Sequence, residues 1–138
     1  MTEAVSENSE VTVLLVDDNP QNLKVLYETL KDKGYRLLIA NEGEKALDLA
    51  HRHQPEVILL DIMMPEMDGY RLTREIRDDP RLKDMFVVLH TSLSGNFNQA
   101  MVEKVGCNGF LSKFEPDKLA LTVQDRLKAY LKQYPRGA

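Results

Sequence analysis

Four apolar segments of this 138-residue chain are each followed closely by polar side chains that could do chemistry. These side chains are Asp17 and Asp18, Asp61, Thr91 and Ser92, and Lys113. If the segments are parallel strands, their carboxyl ends meet at one edge of a sheet, where open α/β folds bind ligands. Three carboxylates at one edge repel each other unless a cation neutralises them, and hard oxygen ligands suit Mg²⁺. The pattern therefore predicts a magnesium site formed by the aspartates.

The hydroxyl and the lysine extend this prediction to phosphoryl chemistry. Thr91 and Lys113 would supply a hydrogen-bond donor and a positive charge, which are what a phosphoryl group requires. A carboxylate can itself be the nucleophile and form an acyl phosphate, with positioning and charge neutralisation lowering most of the barrier. Each residue alone has an ordinary structural role, such as a turn, a loop hydroxyl or a solvated lysine. Their recurrence at four strand ends favours phosphoryl transfer.

The segments that must position these residues alternate between strands and helices. Strands are predicted over Val11–Val16, Tyr35–Ala40, Val57–Leu60, Phe86–Leu89 and Phe110–Ser112. Helices are predicted from Pro20 with Asn19 as N-cap, over Gly43–His53, over Tyr70–Arg77, near Asn98–Val105, and from Pro116. Gly69 is expected in a left-handed turn. Five apolar strands alternating with five helices predict a doubly wound α/β fold with a parallel sheet covered on both faces.

Composition and charge narrow the classes of protein. The formal net charge of −4 gives no basic face for nucleic acid or an anionic membrane. The single cysteine, Cys107, fits a reducing compartment, so a cytoplasmic location is expected. The longest uncharged stretch, Met85–Val102, contains too many polar groups for a membrane span. Residues 1–10 are predicted to be a disordered tail, 11–132 one domain, and 133–138 a C-terminal tail.

The motif set resembles the receiver domain of two-component response regulators, the CheY-like family, from about Val11 to Leu131. The matching runs are Val16–Pro20, Leu59–Gly69, His90–Ser92 and Ser112–Lys113. The resemblance implies a flavodoxin-like fold with strand order 2-1-3-4-5. It also implies that Asp61 is phosphorylated by a histidine kinase or a histidine phosphotransfer domain. The chain would then be a phosphoacceptor switch rather than an enzyme, although it assists its own phosphorylation and slow dephosphorylation.

The same resemblance implies a magnesium-ligand set. Asp18, Asp61 and the backbone carbonyl of Met63 would bind Mg²⁺, with Asp17 acting directly or through water. These positions match the family motif residue by residue.

The resemblance further implies how the signal is read. Thr91 would hydrogen-bond the arriving phosphoryl oxygen, and Lys113 would pair with it. Phe110 matches the aromatic position that moves inward when the threonine moves, so Thr91 and Phe110 would form the switch. No effector domain is expected after Leu131, so the output is expected to be contact with a downstream protein partner, unless the sequence is a piece of a longer chain.

One departure from the family pattern concerns the pathway. The family usually has proline directly after the lysine, whereas Phe114 stands there in the run Lys113–Pro116. This run, together with His90–Gly95, resembles receivers attached to chemotaxis coupling proteins and indicates chemotaxis.

Two other functions compete with the switch. A magnesium-dependent phosphohydrolase with an aspartyl nucleophile needs a second acid two residues later, where this chain has Met63, and it needs a cap domain. A flavodoxin-like nucleotide binder needs a glycine-rich first loop, whereas Asp17–Pro20 would repel phosphates.

Met63 and Leu93 are apolar residues at positions that flank the hydrolytic water in the family, which predicts slow dephosphorylation.

Overall fold

The structure is a computed structural model that describes residues 11–61, 69–90, 104–111 and 116–133. Its strands are β1 (Thr12–Val16), β2 (Arg36–Ala40), β3 (Val57–Asp61), β4 (Phe86–His90) and β5 (Gly109–Leu111). Its helices are α1 (Pro20–Leu30), α2 (Gly43–His53), α3 (Gly69–Asp78) and α4 (Pro116–Gln133). A short 3-10 helix, Lys31–Lys33, follows α1.

The strands form one parallel sheet in the order β2-β1-β3-β4-β5. The predicted doubly wound, flavodoxin-like fold is therefore confirmed. Strand β5 begins one residue before the predicted Phe110. The helix predicted near Asn98–Val105 lies mostly outside the described residues, although Lys104 and Val105 are helical.

The left-handed turn expected at Gly69 is wrong. Gly69 is the first residue of α3, and its carbonyl accepts a hydrogen bond of 2.7 Å from the Thr73 hydroxyl. Positive φ occurs instead at Gly34, where φ is 90° directly after the 3-10 helix, and at Gly106, where φ is 75°. These are the conformations that glycine adopts without the steric penalty of a Cβ atom.

Two buried cores lie on opposite faces of the sheet because alternate strand residues point to opposite sides. The core on the α2–α3 face contains Leu14, Val16, Ile58, Leu60, Val87, Leu89, Ala46, Ala50, Leu72 and Ile76. The core on the other face contains Val13, Leu15, Val57, Leu59, Phe86, Val88, Leu23, Leu26, Leu30, Ala120 and Val123. Central strands buried on both faces explain why their sequences are continuous apolar runs rather than alternating ones.

The amino end of the sheet is held by a network around Arg77, at the end of α3. The guanidinium donates hydrogen bonds to the carbonyls of Gly106 at 2.9 Å, Lys83 at 2.8 Å and Met85 at 2.7 Å. It also donates to Asn108 Oδ1 at 2.8 Å. We call these groups the Arg77 network. Since its acceptors lie just before β4 and β5, the network connects α3 to the start of both strands.

Candidate metal centre

The carboxylates predicted to act together lie at the ends of two neighbouring strands. Residue Val16 of β1 is opposite Leu60 of β3, so the next residues, Asp17 and Asp61, lie at the same edge of the sheet. Asp17 is held there by its backbone N–H, which donates to the Ala40 carbonyl at 3.2 Å. The parallel register therefore brings together residues that are 44 positions apart in sequence.

Asp17, Asp18 and Asp61 form what we call the acidic cluster. Each of the three places one carboxylate oxygen within 4.8 Å of the corresponding oxygens of the other two. Asp17 and Asp61 are buried, at 0% and 1% exposure, whereas Asp18 is exposed. Three converging hard oxygen donors, one of them open to solvent, fit Mg²⁺, which binds one or two carboxylates and keeps several waters.

The electrostatics of Asp17 agree with such a fit. Burial raises the pKa of its carboxyl group, since a charged carboxylate is poorly solvated there. The Asn19 backbone N–H and the Asn22 side chain lower that pKa by donating hydrogen bonds, whereas the charge on Asp18 raises it. A bound cation would favour the ionised form and offset the repulsion within the cluster.

The first turn of α1 lies directly against this cluster. Asn19 caps the helix, because its side-chain oxygen accepts from the backbone N–H groups of Gln21 at 2.9 Å and Asn22 at 3.3 Å. The Asn19 N–H donates to Asp17 Oδ1 at 2.9 Å, and Asn22 Nδ2 donates to Asp17 Oδ2 at 3.2 Å. Asn22 was not among the predicted site residues. Its position in the first turn after an Asp-Asp pair was the available signal.

Phe110, the predicted switch residue, is the second residue of β5 and is opposite Leu89 of β4. It is partly buried and packs against the core on the α2–α3 face. Three other predicted site residues, Met63, Thr91 and Lys113, lie outside the described residues.

His90 is the last residue of β4 and is opposite Asp61 in the sheet. Its side chain is fully buried, and this burial lowers its pKa to about 4. The imidazole is therefore neutral at pH 7, at the edge of the sheet where Asp61 also lies.

A surface depression beside α3 is separate from this site. It has a volume of about 700 Å³ and is lined by side chains of both charge signs, with Arg71, Arg74 and Arg81 beside Glu75, Asp78 and Asp79.

Within the described part of the chain, no helix has the length and apolar character that crossing a bilayer requires.

Comparison with known proteins gives the same family as the sequence motifs. Residues 13–124 match the family model described as the response regulator receiver domain. The polar-differentiation response regulator DivK of Brucella anthropi is 32% identical over 102 residues, which cover 74% of this chain and 83% of that protein.

Solved structures agree in fold. The chemotaxis protein CheY4 of Vibrio cholerae is similar with a TM-score of 0.76 and 30% identity, over 83% of this chain and 97% of that one. The receiver domain of a signal transduction histidine kinase from Syntrophus aciditrophicus gives a TM-score of 0.80 and 29% identity, over 93% and 95%. The chain thus belongs to the response regulator receiver domain family, the signalling domains of two-component phosphorelays.

Proposed function

We propose that this chain is the phosphoacceptor of a histidine-to-aspartate phosphorelay and that Asp61 is the residue phosphorylated. A carboxylate oxygen of Asp61 attacks the phosphorus of a phosphohistidine on a histidine kinase or a histidine phosphotransfer domain. The new O–P bond forms as the P–N bond breaks, and the histidine nitrogen leaves with the bonding electrons. The observation that carries the proposal is the convergence of Asp61 with two other carboxylates at the end of β3.

The acidic cluster would hold Mg²⁺, together with the backbone carbonyl of Met63. When bound, the ion neutralises negative charge that the cluster and the incoming phosphoryl group share. Asp61 then serves as both nucleophile and ligand, and the exposed Asp18 offers the solvent-facing carboxylate.

Phosphorylation would be read as a changed surface. Thr91 hydrogen-bonds a phosphoryl oxygen and Lys113 pairs with its charge, so both are drawn toward Asp61. Phe110 repacks in response. The position of Phe110 supports this movement. Phe110 lies on β5, next to β4, and is only partly buried against the core, so its burial can change.

The test of the nucleophile is Asp61→Asn with acetyl phosphate and Mg²⁺. The substitution keeps the size of the side chain and removes the nucleophilic carboxylate, so we expect phosphoryl labelling to disappear while the circular dichroism spectrum is unchanged. Asp32→Asn is the matched control, because Asp32 is an exposed aspartate in the 3-10 helix, and it should label normally. Stable labelling of Asp61→Asn at another aspartate would show that the assignment is wrong.

The phosphorylated surface binds a downstream protein in the cytoplasm, and chemotaxis is the pathway that the Lys113–Pro116 run favours. A pull-down from the host should compare the protein with and without beryllofluoride, which mimics an aspartyl phosphate. Capture of chemotaxis proteins only in the activated state supports this pathway, whereas activated capture of cell-polarity proteins would replace it.

We also propose that the aspartyl phosphate is long-lived. Met63 and Leu93 are apolar, so neither side chain can orient a hydrolytic water by hydrogen bonding. The Met63→Asn, Leu93→Glu double variant should lose the phosphoryl group much faster than the wild type in a decay time course. Equal lifetimes would contradict the proposal.

A further inference from the structure

The side chain of Asn22 reaches from α1 to the acidic cluster. Its Nδ2 atom donates a hydrogen bond of 3.2 Å to Oδ2 of Asp17, while the other carboxylate oxygen, Oδ1, accepts from the Asn19 N–H at 2.9 Å. Each oxygen of the Asp17 carboxylate therefore has one donor from the start of α1. The plane of this carboxylate is set by two residues of the same helix start.

The local structure fixes Asn22 in the position from which it reaches Asp17. Pro20 begins the helix, and the Asn19 side chain accepts from the Asn22 backbone N–H at 3.3 Å. The neighbouring Gln21 is bound to the same cap through its own backbone N–H at 2.9 Å. The two residues thus share the cap, but the Asn22 side chain makes the contact with Asp17.

The chemistry of a primary amide suits this contact. A carboxylate oxygen has two lone pairs, so one hydrogen bond to each oxygen leaves further lone pairs for a cation or its waters. The amide is neutral, and it therefore orients Asp17 without cancelling the negative charge that attracts a cation. A lysine or an arginine at the same position would orient the carboxylate but also compete with the cation.

We infer that Asn22 is a positioning residue that holds the Asp17 carboxylate in the orientation needed for the acidic cluster to bind Mg²⁺. The inference rests on the proposed magnesium site and deepens it. Groups that orient metal ligands affect affinity although they do not touch the metal, and their loss typically weakens metal binding by about 10-fold or more.

The experiment compares Asn22→Ala with Gln21→Ala, which removes a side chain from the same capped turn. Mg²⁺ affinity is measured by isothermal titration and by ¹⁵N–¹H NMR titration. We expect Asn22→Ala to raise the Kd for Mg²⁺ by about 10-fold, because Asp17 loses an orienting donor. Gln21→Ala should bind Mg²⁺ as the wild type does.

A second readout separates positioning from general damage to the fold. At saturating Mg²⁺, acetyl phosphate should label Asn22→Ala at nearly the wild-type rate, with only the half-saturating Mg²⁺ concentration raised. In the wild type, the side-chain amide resonance of Asn22 should shift when Mg²⁺ binds. An unchanged amide resonance would overturn the inference even if Asn22→Ala failed to fold.

The outcomes distinguish this inference from the proposed site itself. If Asp18→Ala loses Mg²⁺ binding while Asn22→Ala keeps the wild-type Kd, the site stands and the role of Asn22 is overturned. If Asp18→Ala also keeps the wild-type Kd, the proposed site fails. A slower maximal labelling rate in Asn22→Ala with unchanged half-saturation would likewise contradict a positioning role for Mg²⁺ binding.

Discussion

At the carboxyl end of the sheet the acidic cluster brings like charges together, whereas at the amino end the Arg77 network surrounds one positive charge with acceptors. The guanidinium finds three backbone carbonyls and one side-chain amide oxygen within 2.9 Å. The carboxylates of the cluster instead lie within 4.8 Å of each other. Groups of the protein itself surround the positive charge at the amino end, whereas at the carboxyl end the proposed Mg²⁺ would neutralise the converging negative charges.

If the proposed function is right, this contrast separates residues that stabilise the fold from residues that bind the cation. Hydrogen bonds between a charged group and acceptors of the same chain raise the free energy of unfolding. Repulsion between converging carboxylates lowers the free energy of unfolding. A cation that binds between them relieves this repulsion, which favours its binding. The two ends should therefore respond in opposite ways to substitution and to Mg²⁺.

The largest effect on stability is expected for Arg77→Ala. Loss of the hydrogen bonds in the Arg77 network should lower the free energy of unfolding by about 3 kcal/mol, since each bond to a charged group contributes and the carbonyls lose a donor. Urea denaturation measures it. Arg74→Ala, an exposed arginine of the same helix, is the control and should change stability little. Equal losses in the two variants would show that the hydrogen bonds of the Arg77 network add no stability of their own.

The next largest effect is the pH dependence of stability that arises from His90, at the carboxyl end of the sheet. Burial lowers the pKa of His90 from 6.5 to about 4, so the unfolded chain binds this proton more readily than the folded one. The contribution of His90 to the free energy of unfolding is therefore present in full above pH 6.5. It falls as the pH drops toward 4, by about 2 kcal/mol between pH 7 and pH 5. His90→Leu should lack this part of the loss in urea denaturation. Matching pH profiles for wild type and variant would refute the role of His90.

A smaller effect is expected for Asp18→Ala in metal-free buffer. Removing one charge from the acidic cluster should raise the free energy of unfolding by less than about 1 kcal/mol, because Asp18 is exposed and its repulsion is screened. Thermal denaturation in EDTA and in Mg²⁺ measures it. Mg²⁺ should raise the melting temperature of the wild type but not of the variant. A variant that Mg²⁺ stabilises fully would place the cation elsewhere.

The smallest effect is expected at a surface contact near the amino end. His51 lies on α2. Its Nε2 atom is 3.2 Å from Asp79 Oδ2, and its Nδ1 atom is 2.6 Å from Arg81 Nη2. These groups are partly exposed, so His51→Ala should lower stability by only about 0.5 kcal/mol. Arg52→Ala, which removes an exposed ion pair with Asp48, is the control in the same urea series. A loss as large as that of Arg77→Ala would mean that the contact, too, stabilises the core.

The sheet could be predicted from the sequence because its strands are apolar runs that end in polar residues, as at Val11–Val16 before Asp17. Parallel register then brings Asp17 and Asp61 together, as the family's strand order requires. The contact between Asn22 and Asp17 was not predicted, because it depends on where one side chain of a helix points. The Arg77 network joins residues up to 31 positions apart, which no local pattern reveals. Gly69 was misassigned because glycine occurs both in turns and at helix starts.

The most direct test of the central claim is to locate the phosphoryl group chemically. The protein is incubated with acetyl phosphate and Mg²⁺, the acyl phosphate is reduced with borohydride, and the peptides are sequenced by mass spectrometry. Reduction is expected at Asp61 alone, with none when Mg²⁺ is removed by EDTA. Reduction at Asp17 or Asp18 with Asp61 untouched, or labelling that does not depend on Mg²⁺, would contradict this claim.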